Sequence, residues 1–315
     1  MTFDSDLQTA TSYLNSNEAI RTLEKNVYWP KWNSPWWYML LLHEMGETKQ
    51  ISAEVIKTFI STLNKTPLKI FPIYPADIPA GLDPDRDCPC HCQLATIYQV
   101  LTAWGTNVDK ELPWIRPWLI GYQMEDGGMS CDNDAYLVKG ECPSSMVGTI
   151  AVFEAILLCT KRPFTNTETE FLRKAANFLL ERKLMLGSSS NYNAIEQKDE
   201  PKWLELCFPR FYFYDVLRGL SAVLKWSAMF KEPLTADAIQ PAISFITRAF
   251  PDGNVKLGRA SYAGVKTYLL SDSGERTWGH TSSIFPLLET VSKVGSLSPF
   301  LSQEWADAKK AIETL

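Results

Sequence analysis

Five segments of this chain are apolar around the whole of a helical turn. They alternate along the sequence with helices that are apolar on one face only. The all-round segments cover residues 36–45, 92–104, 144–159, 211–229 and 282–291. The third contains the run Met146-Val147-Gly148-Thr149-Ile150-Ala151-Val152-Phe153. A helix apolar on every side has to be buried on every side. The one-faced helices are typified by residues 167–185, where Phe171, Ala175, Phe178, Leu179 and Leu184 share a stripe. Buried rods therefore need a coat, and the intervening one-faced helices supply it. An α-solenoid also alternates helices, but it does not make nearly every second one apolar all round.

The starts of the coat helices recur. Pro163-Phe164-Thr165, Pro233-Leu234-Thr235 and Pro299-Phe300-Leu301-Ser302 each introduce an amphipathic helix, and Gln50-Ile51-Ser52 is a weaker copy. Thr165 followed by Glu168 is a capping box, and self-similarity at a period of about 70 residues marks repeated helical units. Period-two alternation of β-branched residues is scarce. The pattern predicts an all-α, double-layered α/α toroid of five to six helical hairpins, forming one domain over residues 1–315. Short connections make the inner helices parallel, so that their N-termini share one end.

Composition narrows the function classes. A net charge of −5 and a pI near 5.4 argue against a nucleic-acid partner. No apolar run is long enough for a membrane span. Seven cysteines and no secretory pattern in residues 1–20 predict a reduced, cytoplasmic protein. The eleven tryptophans fit core packing first and an aromatic cavity second.

The reactive side chains sit mostly in the turns before the apolar helices: Cys88-Pro89-Cys90-His91-Cys92, Glu141-Cys142-Pro143-Ser144-Ser145, Cys207-Phe208-Pro209-Arg210 and Gly279-His280-Thr281. If the inner N-termini share one end, these turns build one site. Zinc favours thiolate and imidazole donors. Neighbours in extended chain point to opposite sides, so the Cys88–Cys92 string offers one ion two donors at most, with Cys90 and His91 as first choice. Cys131, Cys142 or His280 would complete the set. Cys142 before Pro143 reads as a helix N-cap, where the dipole favours a thiolate. In the fourth segment Arg210 can clamp an anion, Tyr212 or Tyr214 can donate a proton, and Asp215 can orient either; the plainer reading is an Arg210 ion pair amid aromatic packing.

The segment Trp118-Leu119-Ile120-Gly121-Tyr122-Gln123-Met124-Glu125-Asp126-Gly127-Gly128 resembles the Gln-to-Trp repeat of squalene and terpene cyclases, with Met129 or Ser130 at the Trp position. Ser273-Gly274-Glu275-Arg276-Thr277-Trp278-Gly279 resembles its second half, and Phe250-Pro251-Asp252-Gly253-Asn254-Val255 echoes it. The resemblance is to the α/α-toroid superfamily, which includes triterpene cyclases and protein prenyltransferase β subunits. The prenyltransferases bind zinc through Asp, Cys and His at inner-helix starts. The resemblance to them implies that role for Cys131 or Cys142, which follow Gly127-Gly128, and for His280. Cys90-His91-Cys92 is similar to the Cys-His element of the lanthionine cyclases. The Asp-x-Asp-Asp acid of class II cyclases has only Asp132-Asn133-Asp134-Ala135 as its counterpart, one Asp short.

These readings converge on a zinc-dependent enzyme performing cyclisation or group transfer on a small or peptide-like apolar substrate. Two alternatives stand beside it. One is a non-catalytic module binding a peptide, glycan or lipid. The other is a metal-free isoprenoid cyclase with Asp132 or Asp134 as the acid.

Overall fold

A computed structural model describes residues 3–69, 76, 78–82, 87–262, 266–271 and 276–314. The chain is mostly helical. In order, the helices are α1 (Phe3–Leu14), α2 (Asn17–Lys25), α3 (Pro35–Glu44), α4 (Ala53–Asn64), α5 (His91–Trp104), α6 (Val108–Glu111), α7 (Ile115–Gly121), α8 (Met146–Cys159), α9 (Asn166–Glu181), α10 (Glu200–Leu204), α11 (Val216–Phe230), α12 (Ala236–Ala249), α13 (Pro286–Val291) and α14 (Pro299–Ile312). An antiparallel hairpin, β1 (Lys266–Leu270) with β2 (Arg276–Thr281), interrupts them, with a register irregularity between Thr267 and Tyr268.

The distinction between rods and coat appears as expected. Every residue of α3 from Pro35 to Leu42 is buried, and α5, α8 and α11 are buried along most of their length. α3 packs on α5, α5 on α8, and α8 on α11. The amphipathic α9 covers α8 and α11 with Phe171, Leu172, Ala175, Phe178 and Leu179, and its start carries the full Thr165–Glu168 capping box. α12 lies on α11, and α14 packs there too. One contiguous apolar cluster runs from Ala10 to Ala308. It includes a nest in which Trp32 contacts Trp37, Phe211 and Tyr212, with the Trp32 and Phe211 rings 5.5 Å apart and stacked.

Several local expectations are corrected. Residues 276–281 form a strand, so His280 opens no inner helix, and the last apolar helix shrinks to Pro286–Val291. The cap of α8 is Ser145, whose Oγ accepts from Gly148 N at 2.8 Å, and not Cys142. The final helix is capped by Ser298 and not Ser302. Residues 273–275 of the second repeat-like string lie outside the described residues.

Burying α11 buries its charged start. Asp215, fully enclosed, N-caps α11 by accepting from Arg218 N at 2.9 Å and takes both Nε and Nη2 of Arg210 at 2.6 and 3.0 Å. Arg210 Nη1 reaches Glu304 at 2.5 Å, and the Arg210 and Phe211 amides donate to Glu44. Burial works against the Arg210 charge, but Asp215 and Glu304 outweigh it and hold the guanidinium firmly protonated. Removing one partner of such a buried pair leaves the other uncompensated. Asp215→Ala is therefore expected to cost about 3–5 kcal/mol in denaturant unfolding. A loss under about 1 kcal/mol would match a solvent-exposed pair instead.

Candidate metal centre

Three cysteine sulfurs come together where the starts of α5 and α8 approach each other. Cys90 is the N-cap of α5, Cys92 lies in its first turn, and Cys131 precedes α8. Their Sγ atoms all lie within 4.8 Å of one another, and Cys90 and Cys92 are 3.1 Å apart. The Cys92 amide, left without an intrahelical acceptor at the buried helix start, donates to Cys131 Sγ at 3.3 Å. A cysteine on a distant segment thus caps α5.

The loop carrying Cys131 is built by the repeat-like string. Gln123 Nε2 donates to the carbonyls of Gly127 and Phe171, both at 2.9 Å, tying the loop to α9. Asp126 accepts from Gly128 N and from Ser144 Oγ. Gly127 has a φ of +88°, and a Cβ there would strike the Lys174 carbonyl; one at Gly128 would strike the Phe178 ring and Ser144. Met129 N donates to Thr149 Oγ1 and Met129 O accepts from Ser145 N, so the strand entering Ser130-Cys131 is fixed on α8. The motif is structural, and what it positions is a sulfur.

His91, the first residue of α5, lies outside the three-sulfur group. Its Nδ1 contacts Ser130 O at 2.6 Å, with the Tyr136 hydroxyl 3.2 Å away. Burial depresses its pKa to about 4, so the ring is neutral at physiological pH. Tyr136 also accepts from Ser130 N at 3.1 Å. His91 and Tyr136 together clamp the backbone beside Cys131.

The three thiols share charge unequally. Hydrogen bonding to Cys131 and then Cys92 holds the Cys90 thiol well below its ordinary range; hydrogen bonding to Cys131 and then Cys90 pushes Cys92 up, and hydrogen bonding to Cys90 pushes Cys131 up. Cys90 and Cys131 are partly exposed, while Cys92 is buried. The exposed pair lines a cavity of about 500 Å³ whose walls mix apolar residues (Val27, Trp29, Leu63) with polar ones (Glu24, Lys25, Asp132).

Lys31 projects from the turn before α3 into the same cavity. Its Nζ sits 5.6–5.8 Å from the Tyr28, Trp29 and Trp32 ring centres and 3.4 Å from the Tyr212 hydroxyl. Burial lowers its pKa, and the nearby Cys90 and Cys92 charges resist that. Burial, then the Cys92 charge, pushes the Tyr212 hydroxyl up. The segments before α3, α5, α8 and α11 therefore meet here.

Of the residues singled out by sequence, Cys90, Cys131 and Tyr212 are brought together, and Cys92 takes the place given to His91. Cys142 is partly exposed and lies outside the three-sulfur group. His280 is exposed on β2 and equally outside it. Arg210 and Asp215 consume each other, and Tyr214 is buried, donating its hydroxyl to Leu184 O at 2.7 Å. None of these three is presented to the cavity. Asp132 and Asp134 are exposed, with Asp132 accepting from Tyr192 OH at 2.8 Å. Lys31 was missed, although a lysine inside Tyr28-Trp29-Pro30-Lys31-Trp32 is a cation set among aromatic rings.

The cluster can hold a metal ion. Donors around tetrahedral zinc, at Zn–S of about 2.3 Å, stand about 3.8 Å from one another. Cys90 and Cys92 stand closer than that, at 3.1 Å, and all three sulfurs fall within 4.8 Å of one another. No protein-family model matches this chain, and no curated protein or solved structure matches it significantly.

Groups that orient metal ligands from behind are worth about 10–100-fold in affinity. Tyr136→Phe is expected to weaken zinc binding by about tenfold in competition with a chromophoric chelator, leaving the stoichiometry unchanged. An unaltered affinity would show that the Ser130 clamp does not position Cys131.

Proposed function

We propose that this chain is a zinc-dependent enzyme whose reaction centre is the Cys90–Cys92–Cys131 cluster, set in a toroid of the terpenoid-cyclase and prenyltransferase kind. The observation that carries this reading is three convergent sulfurs, two of them on the wall of a cavity open to the surface. Structural zinc sites are normally closed by four protein donors, whereas catalytic ones keep a position open. Among the described residues this set has three members.

When bound, zinc supplies a Lewis acid that holds and polarises a substrate atom, or keeps a substrate thiol deprotonated. The chain's own groups do the rest. Cys90, Cys92 and Cys131 fix the ion at the cavity wall. Lys31 offers a positive charge to the polar end of a substrate, and its aromatic surround shields that charge from water. Tyr212, hydrogen-bonded to Lys31, holds the ammonium in place. Val27, Trp29 and Leu63 accept an apolar body. The mixed wall favours a substrate with an apolar portion and a charged or polar end, undergoing cyclisation or group transfer.

The test is elemental analysis of untagged protein purified without chelator. About one zinc per chain is expected, and less than half of one in Cys131→Ser. A chelator should lower the melting temperature of the wild type only, because the ion binds the folded state. Retention should also weaken as pH falls, since protons compete for the sulfurs. A wild-type protein without zinc, unmoved by chelator, would end the metal reading.

A further inference from the structure

We infer that Cys90 and Cys131 form a dithiol–disulfide couple, in which a hydroperoxide entering the cavity joins the start of α5 to the loop before α8. This goes beyond the zinc reading and does not depend on it, though a bound ion would occupy the same sulfurs and slow the reaction.

Access selects the pair. Cys90 and Cys131 are partly exposed and line the 500 Å³ cavity, whereas Cys92 is buried. All three sulfurs lie within 4.8 Å, so either neighbour of Cys90 is close enough to react. Geometry separates them again. The Cys90 and Cys92 sulfurs are 3.1 Å apart, but a bond between them would close a small ring over one intervening residue within the first turn of α5, where the backbone limits access to the dihedral near 90° that a disulfide prefers. Cys131 belongs to a segment 39 residues away and approaches from outside the helix. The remaining cysteines, Cys88, Cys142, Cys159 and Cys207, are outside the group; Cys88 borders the same cavity but is buried.

The chemistry balances with the oxidant alone. Cys90, on losing its proton to solvent, attacks one peroxide oxygen as the thiolate, forming S–O and breaking O–O, and hydroxide or an alkoxide leaves. Cys131 Sγ then attacks the Cys90 sulfur, forming S–S and breaking S–O; its proton and the departing hydroxide make water. Two thiols are oxidised by two electrons, and the peroxide is reduced. A dithiol reverses the bond by exchange.

The experiment treats metal-free full-length protein with one equivalent of hydrogen peroxide, then counts thiols and maps linked peptides by mass spectrometry. The expected result is loss of two thiols and a Cys90–Cys131 linkage, restored by dithiothreitol. Cys92→Ser should keep the linkage and Cys131→Ser should lose it. A Cys90–Cys92 linkage, or Cys90 converted to sulfinic acid with no cross-link, would overturn the inference. Repeating the reaction with equimolar zinc separates the two readings. Linkage slowed at least tenfold supports both, and linkage at an unchanged rate supports the couple while removing the metal.

Discussion

Burying whole helices buries their ends, and that constraint organises this molecule. The first amides of a helix have no partner within it, and in α5, α8 and α11 they cannot turn to water. Each start is satisfied by its own capping side chain, by one brought from elsewhere, or by both. Asp215 serves α11. Ser145 serves α8, with Glu196 accepting from Met146 N at 2.6 Å and from Ser188 N at 2.8 Å. The start of α5 is served by the sulfur of Cys131. Polar and reactive groups concentrate where buried helices begin because nothing else can satisfy those amides.

The same constraint separates structural charge from chemical potential. Arg210, Asp215, Glu44 and Glu304 form a network in which both oxygens of Glu44 and of Asp215, and Nε, Nη1 and Nη2 of Arg210, have protein partners. Such a group has little left to offer a ligand. The sulfurs differ. They are large, weak hydrogen-bonding partners, and three together retain capacity for a soft ion or for one another. Their position at a cavity wall turns a capping arrangement into a candidate reaction centre.

Much of the helical plan was legible. Residues 92–104 and 144–159 were placed within two residues of α5 and α8, because a run apolar on all sides has one environment that suits it. The capping box at Thr165 and Glu168 was equally clear. Misreadings came where local pattern competed with partners that sequence does not display. Lys266-Thr267-Tyr268-Leu269-Leu270 and Arg276-Thr277-Trp278-Gly279-His280-Thr281 carry the β-branched and aromatic enrichment of a hairpin. The helical rhythm of the neighbours obscured it, and His280 went with it. Cys142 before Pro143 mimicked a helix start, yet Ser145 competes better for the cap because its hydroxyl is the stronger acceptor.

At the site, the sequence by itself determined that sulfur would gather at helix starts, since cysteines placed before buried helices have few other places to go. It did not determine which neighbours in the Cys88–Cys92 string would share a face, and the pairing of Cys90 with His91 that it suggested is not the one formed. Only the tertiary structure decided which face won. The packing of α5 against α8 turned Cys90 and Cys92 toward Cys131 and gave His91 to Ser130. The turn before α3 brought Lys31 and Tyr28 opposite, and the segment before α11 brought Tyr212. Those choices depend on contacts between residues as far apart as Lys31 and Tyr212, and no local pattern encodes a neighbour at that distance.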